Sequence, residues 1–237
     1  NEDFTEVSVA GPGFINIRLG DAALLRQVYT LPKKIYDGQT IVAEYSDPNP
    51  FKVLHAGHLY TTLVGDAISL LLAVGGGIVH RVNFGGDVGP HVAMNMWAII
   101  RLFGGEHPEK LSEITTDLHE RAAWLAARYV EGRAAYDSDE AAKNEILALN
   151  KRIYELHAHD DHDSAFAKIY WECRQWSYDY FALLYDELGV LPFEKYYPES
   201  MTTPTGVETV ERELKNGVYE KSDGAVVFKG EPYGLHT

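Results

Sequence analysis

Apolar positions along the chain follow two rhythms. After the breaker Gly11-Pro12-Gly13, the run Phe14-Ile15-Asn16-Ile17-Arg18-Leu19 alternates and predicts a half-buried strand. Asp21 stands where it could cap a short helix beginning at Ala22. Ile41-Val42-Ala43-Glu44-Tyr45 is a compact apolar run of the kind expected of a buried parallel strand. The segment from Ser46 to Pro50 breaks it, because Pro48 and Pro50 cannot donate to a ladder. A helix is predicted over 57–73, with Thr62, Asp66 and Ser69 on one stripe and Leu59, Leu63, Ile68 and Leu71 over most of the rest. Gly75-Gly76-Gly77 ends it. A second strand is predicted over 78–83, and Gly85-Gly86-Asp87-Val88-Gly89-Pro90 turns into another helix ending near Phe103. Strand, loop and helix, twice over, predict a parallel sheet with right-handed crossovers.

The rhythm changes near Gly104. From about Leu111 to Leu188 it is helical, in roughly three pieces. Ile146, Leu149, Ile153 and Leu156 form one apolar stripe, and Phe166, Ile169, Cys173, Trp176, Tyr180 and Leu184 form another. Both are read as core seams. Asp137-Ser138-Asp139-Glu140 has the polar cap and acids of a helix start. In the tail a helix is expected over 205–215. Val218-Tyr219-Glu220 and Ala225-Val226-Val227-Phe228 then flank Ser222-Asp223-Gly224, a hairpin signal.

At 237 residues, with 46% hydrophobic and 24% charged positions, the chain has the makings of an ordinary globular core. No uninterrupted apolar run approaches the roughly 20 residues of a membrane span, and no membrane association is expected. A formal charge of −14 disfavours a free-standing nucleic-acid binder but not an enzyme that touches one end of an RNA. The single cysteine, Cys173, suggests a reducing, cytoplasmic setting. The first residue is Asn1 and no signal-peptide pattern follows, so the sequence is expected to be a segment of a longer protein.

The chemistry concentrates in Asp47-Pro48-Asn49-Pro50-Phe51-Lys52-Val53-Leu54-His55-Ala56-Gly57-His58. This stretch follows a strand and enters the first turn of a helix, where backbone N–H groups and the helix dipole attract an anion. Crevices at the carboxyl ends of parallel strands are also where α/β sheets bind ligands. His55 and His58, three apart, place two imidazole donors beside a phosphate; Gly57 removes a side chain so that a base or ribose can approach; Lys52 adds a positive charge. Fixed donors of this kind stabilise nucleotidyl transfer without a covalent intermediate.

Together with its lead-in Glu44-Tyr45-Ser46, this segment resembles the first signature of arginyl-tRNA synthetases, the class I "HIGH" tetrapeptide with its preceding Pro-Asn and Lys. Further likenesses follow in order: Gly11 to Asn16, Gly65-Asp66-Ala67, Asn83 with Gly86-Asp87-Val88-Gly89, Ser177, Tyr180-Phe181, Leu188-Gly189-Val190, Tyr197-Pro198-Glu199-Ser200, and the 219–228 hairpin. Tyr60, Val88 and Asp47 depart from the family's usual Arg, Trp and Ser.

The resemblance implies an α/β fold, the first half of a class I Rossmann-like parallel-sheet catalytic domain with a helical insertion and a short β-hairpin. It implies the end of an N-terminal additional domain over 1–30, catalytic domain over 31–104, helical insertion over 105–188, and a return to the catalytic domain over 189–237. It further implies that His55 and His58 are catalytic. Pro48, Lys52, His55, Gly57, His58 and Asp87 would bind ATP, with Asp87 read equally as a loop cap, and Glu44, Ser46 and Asn49 would bind arginine. ATP with Mg2+ is expected as substrate, with no tightly bound cofactor and no metal site. The implied partners are arginine, ATP and the acceptor end of tRNA(Arg), the implied state a monomer. The second Lys-rich signature, the guanidinium-reading residues and the anticodon-binding domain are expected beyond Thr237, so the chain alone is expected not to charge tRNA.

Two other readings start from the same residues. A smaller HxGH nucleotidyltransferase would use the same histidines, and a non-catalytic synthetase-like module would bind RNA or a protein. His157-Ala158-His159-Asp160-Asp161-His162-Asp163 has metal-ligand residue types but falls between two helices, and is expected to be a solvated loop.

Overall fold

The computed structural model describes residues 3–222 and 224–235. In chain order the elements are β1 (Phe4–Ala10), β2 (Phe14–Leu19), α1 (Asp21–Tyr29), β3 (Thr40–Glu44), α2 (Ala56–Val74), β4 (Ile78–Gly85), α3 (Pro90–Phe103), α4 (Leu118–Ser138), α5 (Glu140–Ala158), α6 (Ala165–Glu187), β5 (Lys195–Pro198), α7 (Glu199–Lys215), β6 (Glu220–Ser222) and β7 (Ala225–Val227). The chain divides into two compact units, one of residues 1–41 with 70–79 and the other of 42–69 with 80–237.

In the first unit β1 and β2 form an antiparallel ribbon, from Phe4 opposite Leu19 to Ala10 opposite Phe14. β2 was expected to be half-buried, but every residue of both strands is exposed. Asp21 is the first residue of α1; Gly20 is the cap and makes no side-chain bond. The return segment is tied by the Ile78 N–H donating to the Gln39 carbonyl (2.8 Å).

The second unit holds the mixed α/β body. Its sheet has the order β3-β4-β5, with β4 and β5 parallel from Val82 opposite Lys195 to Gly85 opposite Pro198. The expected buried strand at β3 is instead largely open, and Val42 is 67% exposed. The main core gathers α3, α4, α5 and α6 around Met96, Ile99, Leu125, Ile146, Ile153, Ile169 and Trp176. The helical stretch therefore lies in the same compact unit as β5 and most of β4. Asp139 caps α5 by accepting from the Ala141 and Ala142 N–H groups. A smaller cluster of Tyr45, Phe181, Tyr185, Val190 and Phe193 fills the space between strands and α6.

Helix α2 buries its polar stripe. Thr62, Asp66 and Ser69 are its buried residues, while Leu59, Leu63, Ile68 and Leu71 are exposed. By length and composition it could cross a membrane, something a search for uninterrupted apolar runs overlooks because Thr61, Thr62 and Asp66 break the run. Two residues of its polar stripe, Thr62 and Asp66, are engaged by protein, while Ser69 Oγ is buried without a hydrogen-bond partner. Tyr45 OH donates to Asp66 Oδ1 (3.3 Å), and Thr62 Oγ1 lies 2.7 Å from Ser46 Oγ. Gly65 makes the approach possible: a Cβ there would fall 2.3 Å from Cγ of Tyr45.

Helix α7 begins six residues before the expected start and runs through Pro204. Its first turn is closed by Thr202 and Thr203 hydroxyls donating to the Glu199 carbonyl. The tail hairpin pairs Glu220 with Val227 and Ser222 with Ala225; Asp223 of its expected turn lies outside the described residues.

Candidate active site

Between β3 and α2 the backbone takes an uncommon path. Ser46, Asp47 and Phe51 have φ of 75°, 49° and 65°, left-handed values that cost non-glycine residues energy and persist where surroundings hold them. The restraints are all here. Ser46 is buried, and its hydroxyl is bonded to Tyr185 OH (2.8 Å) as well as to Thr62. Asp47 Oδ1 accepts the Phe84 N–H (2.8 Å), and burial pushes its carboxyl above the usual range. Phe51 donates its N–H to Ser177 Oγ (2.9 Å), and its carbonyl accepts from Asn95 Nδ2 (2.8 Å). The result is a rigid turn at the carboxyl ends of β3 and β4.

Asn49 is oriented by this turn. Its Oδ1 accepts the Gly86 N–H (2.9 Å), so the amide's remaining donor, Nδ2, is the group left to meet a ligand. Glu199, at the start of α7, comes to the same place: a Cβ on Gly86 would sit 2.8 Å from Asn49 Oδ1 and 3.1 Å from Glu199 Oε2. Burial, then the charge of Asp87, raises the Glu199 pKa. Glu44, by contrast, is exposed. Pro48 is buried, with its carbonyl 3.0 Å from where a Gly85 Cβ would stand.

His55 and His58 form a reciprocal cap. His55 Nδ1 accepts the N–H groups of Gly57 (3.1 Å) and His58 (3.4 Å), while the His55 N–H donates to His58 Nδ1 (3.4 Å). This is a capping box made of two imidazoles. Each Nδ1 must carry a lone pair, which puts the proton of each neutral ring on Nε2, the outward edge. The rings stack with centroids 3.8 Å apart. Expected free helix N–H groups are thus partly taken by His55. The space that Gly57 leaves is filled by the same ring, 2.9 Å from a built Cβ. His58 holds its proton less tightly than usual, through burial first, then His55 and Lys52.

Asp87 is brought together with other elements. Wholly buried, it accepts from the Ser200 N–H (2.9 Å), Ser200 Oγ (2.7 Å) and Arg174 Nε (3.0 Å), and its carbonyl accepts from Tyr170 OH (2.8 Å). It ties the β4–α3 loop to α6 and α7. Beside it, His91 Nε2 donates to the Gly86 carbonyl (2.8 Å); burial above all brings its pKa down to about 4, so the ring is neutral. His157 pairs with Tyr170 OH, whereas His162 stacks on Trp171 and bonds Asp160. No group of three His, Cys, Asp or Glu able to hold a metal is present among the described residues. Tyr185, Thr62, Glu199 and His91 were not singled out from sequence for the site. Only Glu199 carried a signal, in Tyr197-Pro198-Glu199-Ser200.

Comparison with known proteins places nearly the whole chain in one family. The family described as tRNA synthetases class I (R), catalytic domain, matches residues 21–236. An arginine–tRNA ligase of Amoebophilus asiaticus is 30% identical over 227 residues, covering 90% of this chain and 38% of that protein. One from Haemophilus influenzae is 31% identical over 250 residues, covering 97% and 40%. Arginyl-tRNA synthetase structures from Plasmodium falciparum (TM-score 0.57, 21% identity, 98% of this chain and 39% of that one) and Thermus thermophilus (TM-score 0.56, 24%, 98% and 37%) share the fold. The chain spans about two fifths of the length of the curated relatives it matches. With nearly all of it matched by the one family, the chain belongs to the class I (R) tRNA synthetases, within their catalytic domain.

Proposed function

We propose that the chain carries the ATP-binding first half of an arginine–tRNA ligase active site. In this reaction the carboxylate of arginine attacks the α-phosphorus of ATP, pyrophosphate leaves, and the arginyl group passes from AMP to the terminal adenosine of tRNA(Arg). The observation that carries the reading is the histidine capping box, which aims two Nε2–H donors away from the helix start. Donors fixed in advance stabilise the charge that builds on the phosphate oxygens. Lys52 adds charge to the triphosphate, and Mg2+ would accompany ATP. Asn49 Nδ2 suits an oxygen acceptor of the amino acid, and the carboxylates of Glu44 and Glu199 suit its cationic groups. Pro48 and Ser46 act through the turn they brace, and Asp87 through the loop it ties.

The test is ATP–pyrophosphate exchange by the protein that contains this chain, with each amino acid offered and tRNA present. Exchange with arginine is expected, falling on the order of 10²-fold or more in His58→Ala with the fold retained by circular dichroism. Exchange driven by a different amino acid would sink the arginine assignment, and unchanged turnover in His58→Ala would sink the site.

A further inference from the structure

We propose that Tyr129 is a positioning residue whose ring seats the Lys52 ammonium beside the signature histidines and leaves the lysine's charge available to a polyphosphate. The inference deepens the reading above and rests on it. Lys52 Nζ lies 4.8 Å from the centroid of the Tyr129 ring, close enough for the ring's negative face to attract it. Both residues are half-buried. The lysine ion pairs among the described residues are those of Lys143 with Glu140 and Lys229 with Glu220; Lys52 takes part in none. In a chain with 35 acidic and 21 basic residues, that is informative. A carboxylate would also hold the lysine, but it would cancel the charge a phosphate needs. A ring quadrupole holds it and cancels nothing.

The seat is built to stay in place. Asn95 Nδ2 donates to the carbonyl of Phe51, the residue before Lys52, and to that of Leu125, one turn before Tyr129 (2.8 and 2.9 Å). One buried amide therefore fixes both halves of the pair. One turn after Tyr129, Gly132 lies so close to α3 that a Cβ would fall 2.1 Å from the Met94 carbonyl oxygen, which pins α4. The ammonium's field reaches the site: it disfavours protonation of both His58 and His91, in each case after burial. The helical stretch thus contributes a side chain to the nucleotide end of the site.

Inorganic tripolyphosphate is the probe, titrated into the 237-residue chain at low salt by calorimetry, with Lys52 observed by NMR after 13C-methylation of lysines. Tyr129→Leu is expected to weaken binding about 2- to 5-fold and to abolish the upfield ring-current shift of Lys52. Tyr129→Phe keeps the ring and should retain both. Normal binding by Tyr129→Leu alongside weakened binding by Lys52→Ala would overturn the seat and spare the phosphate site. Unchanged binding in both variants would overturn the seat and the phosphate reading together. Should the leucine variant not fold, the methylated protein with Tyr129 intact still decides: a Lys52 resonance without a ring-current shift refutes the seat.

Discussion

Helices α2 and α6 look alike as sequences and are used in opposite ways. Both are long, 19 and 23 residues, and both carry a stripe of large apolar side chains. In α6 the stripe faces in: Phe166, Ile169, Cys173 and Trp176 are buried. In α2 it faces out, and Thr62, Asp66 and Ser69 are buried instead. An amphipathic pattern states that two faces differ; it does not state which one the chain covers. For α6 the hydrophobic effect decides. In α2 the buried hydroxyl and carboxylate are made tolerable by hydrogen bonds from Ser46 and Tyr45, while its apolar face lies open in a chain that spans about two fifths of its relatives' length.

The largest test of this contrast is on α6. Trp176 is 2% exposed, meets Trp124 edge-on (6.1 Å between centroids), and has the Arg121 guanidinium 4.1 Å over its ring. Trp176→Ala is expected to cost roughly 3–5 kcal/mol in urea unfolding, the usual price of emptying a core site of that size. A loss under about 1 kcal/mol would mean that the α6 seam is not the core.

The same contrast shows what sequence can convey. Periodicity placed α2 and the end of α3 to within a residue or two, and read three helical pieces over 111–188, because those signals are local. The signature was legible for a similar reason: His55, Gly57 and His58 are neighbours in sequence, so their capping box is a short-range object. What stayed hidden depends on distant residues. The left-handed turn at Ser46 to Phe51 is held by Phe84, Ser177 and Tyr185. Asp87 was read as either an ATP contact or a loop cap, but the groups that occupy its oxygens, Ser200 and Arg174, lie 113 and 87 residues further on. Tyr129 lies in a helix whose own pattern speaks only of packing.

A middle-sized effect is expected on the polar side of α2. Thr62→Val keeps the shape and makes the helix more apolar, so a hydropathy argument would have it stabilise the fold. The structure says the reverse. Thr62 Oγ1 donates to the His58 carbonyl (2.6 Å) and bonds Ser46, whose left-handed backbone it helps to hold. Leaving Ser46 with one partner fewer should cost about 1–3 kcal/mol, measured by the same unfolding. A valine variant as stable as the parent would show that the buried polar stripe is incidental.

The smallest effect is expected on the outer face of α2. Leu71 is 69% exposed, so trimming it removes little buried area. Alanine is also the better helix former by a few tenths of a kcal/mol. The two terms are small and opposite, and Leu71→Ala should leave the stability of this chain within about 0.5 kcal/mol of the parent. On a helix read by its apolar stripe, the same substitution would be a core truncation costing about 2–5 kcal/mol. The two outcomes differ by far more than the error of an unfolding curve. A large loss at Leu71, with little loss at Thr62, would mean that α2 turns its apolar side inward in solution and that the Ser46 turn is held by something else.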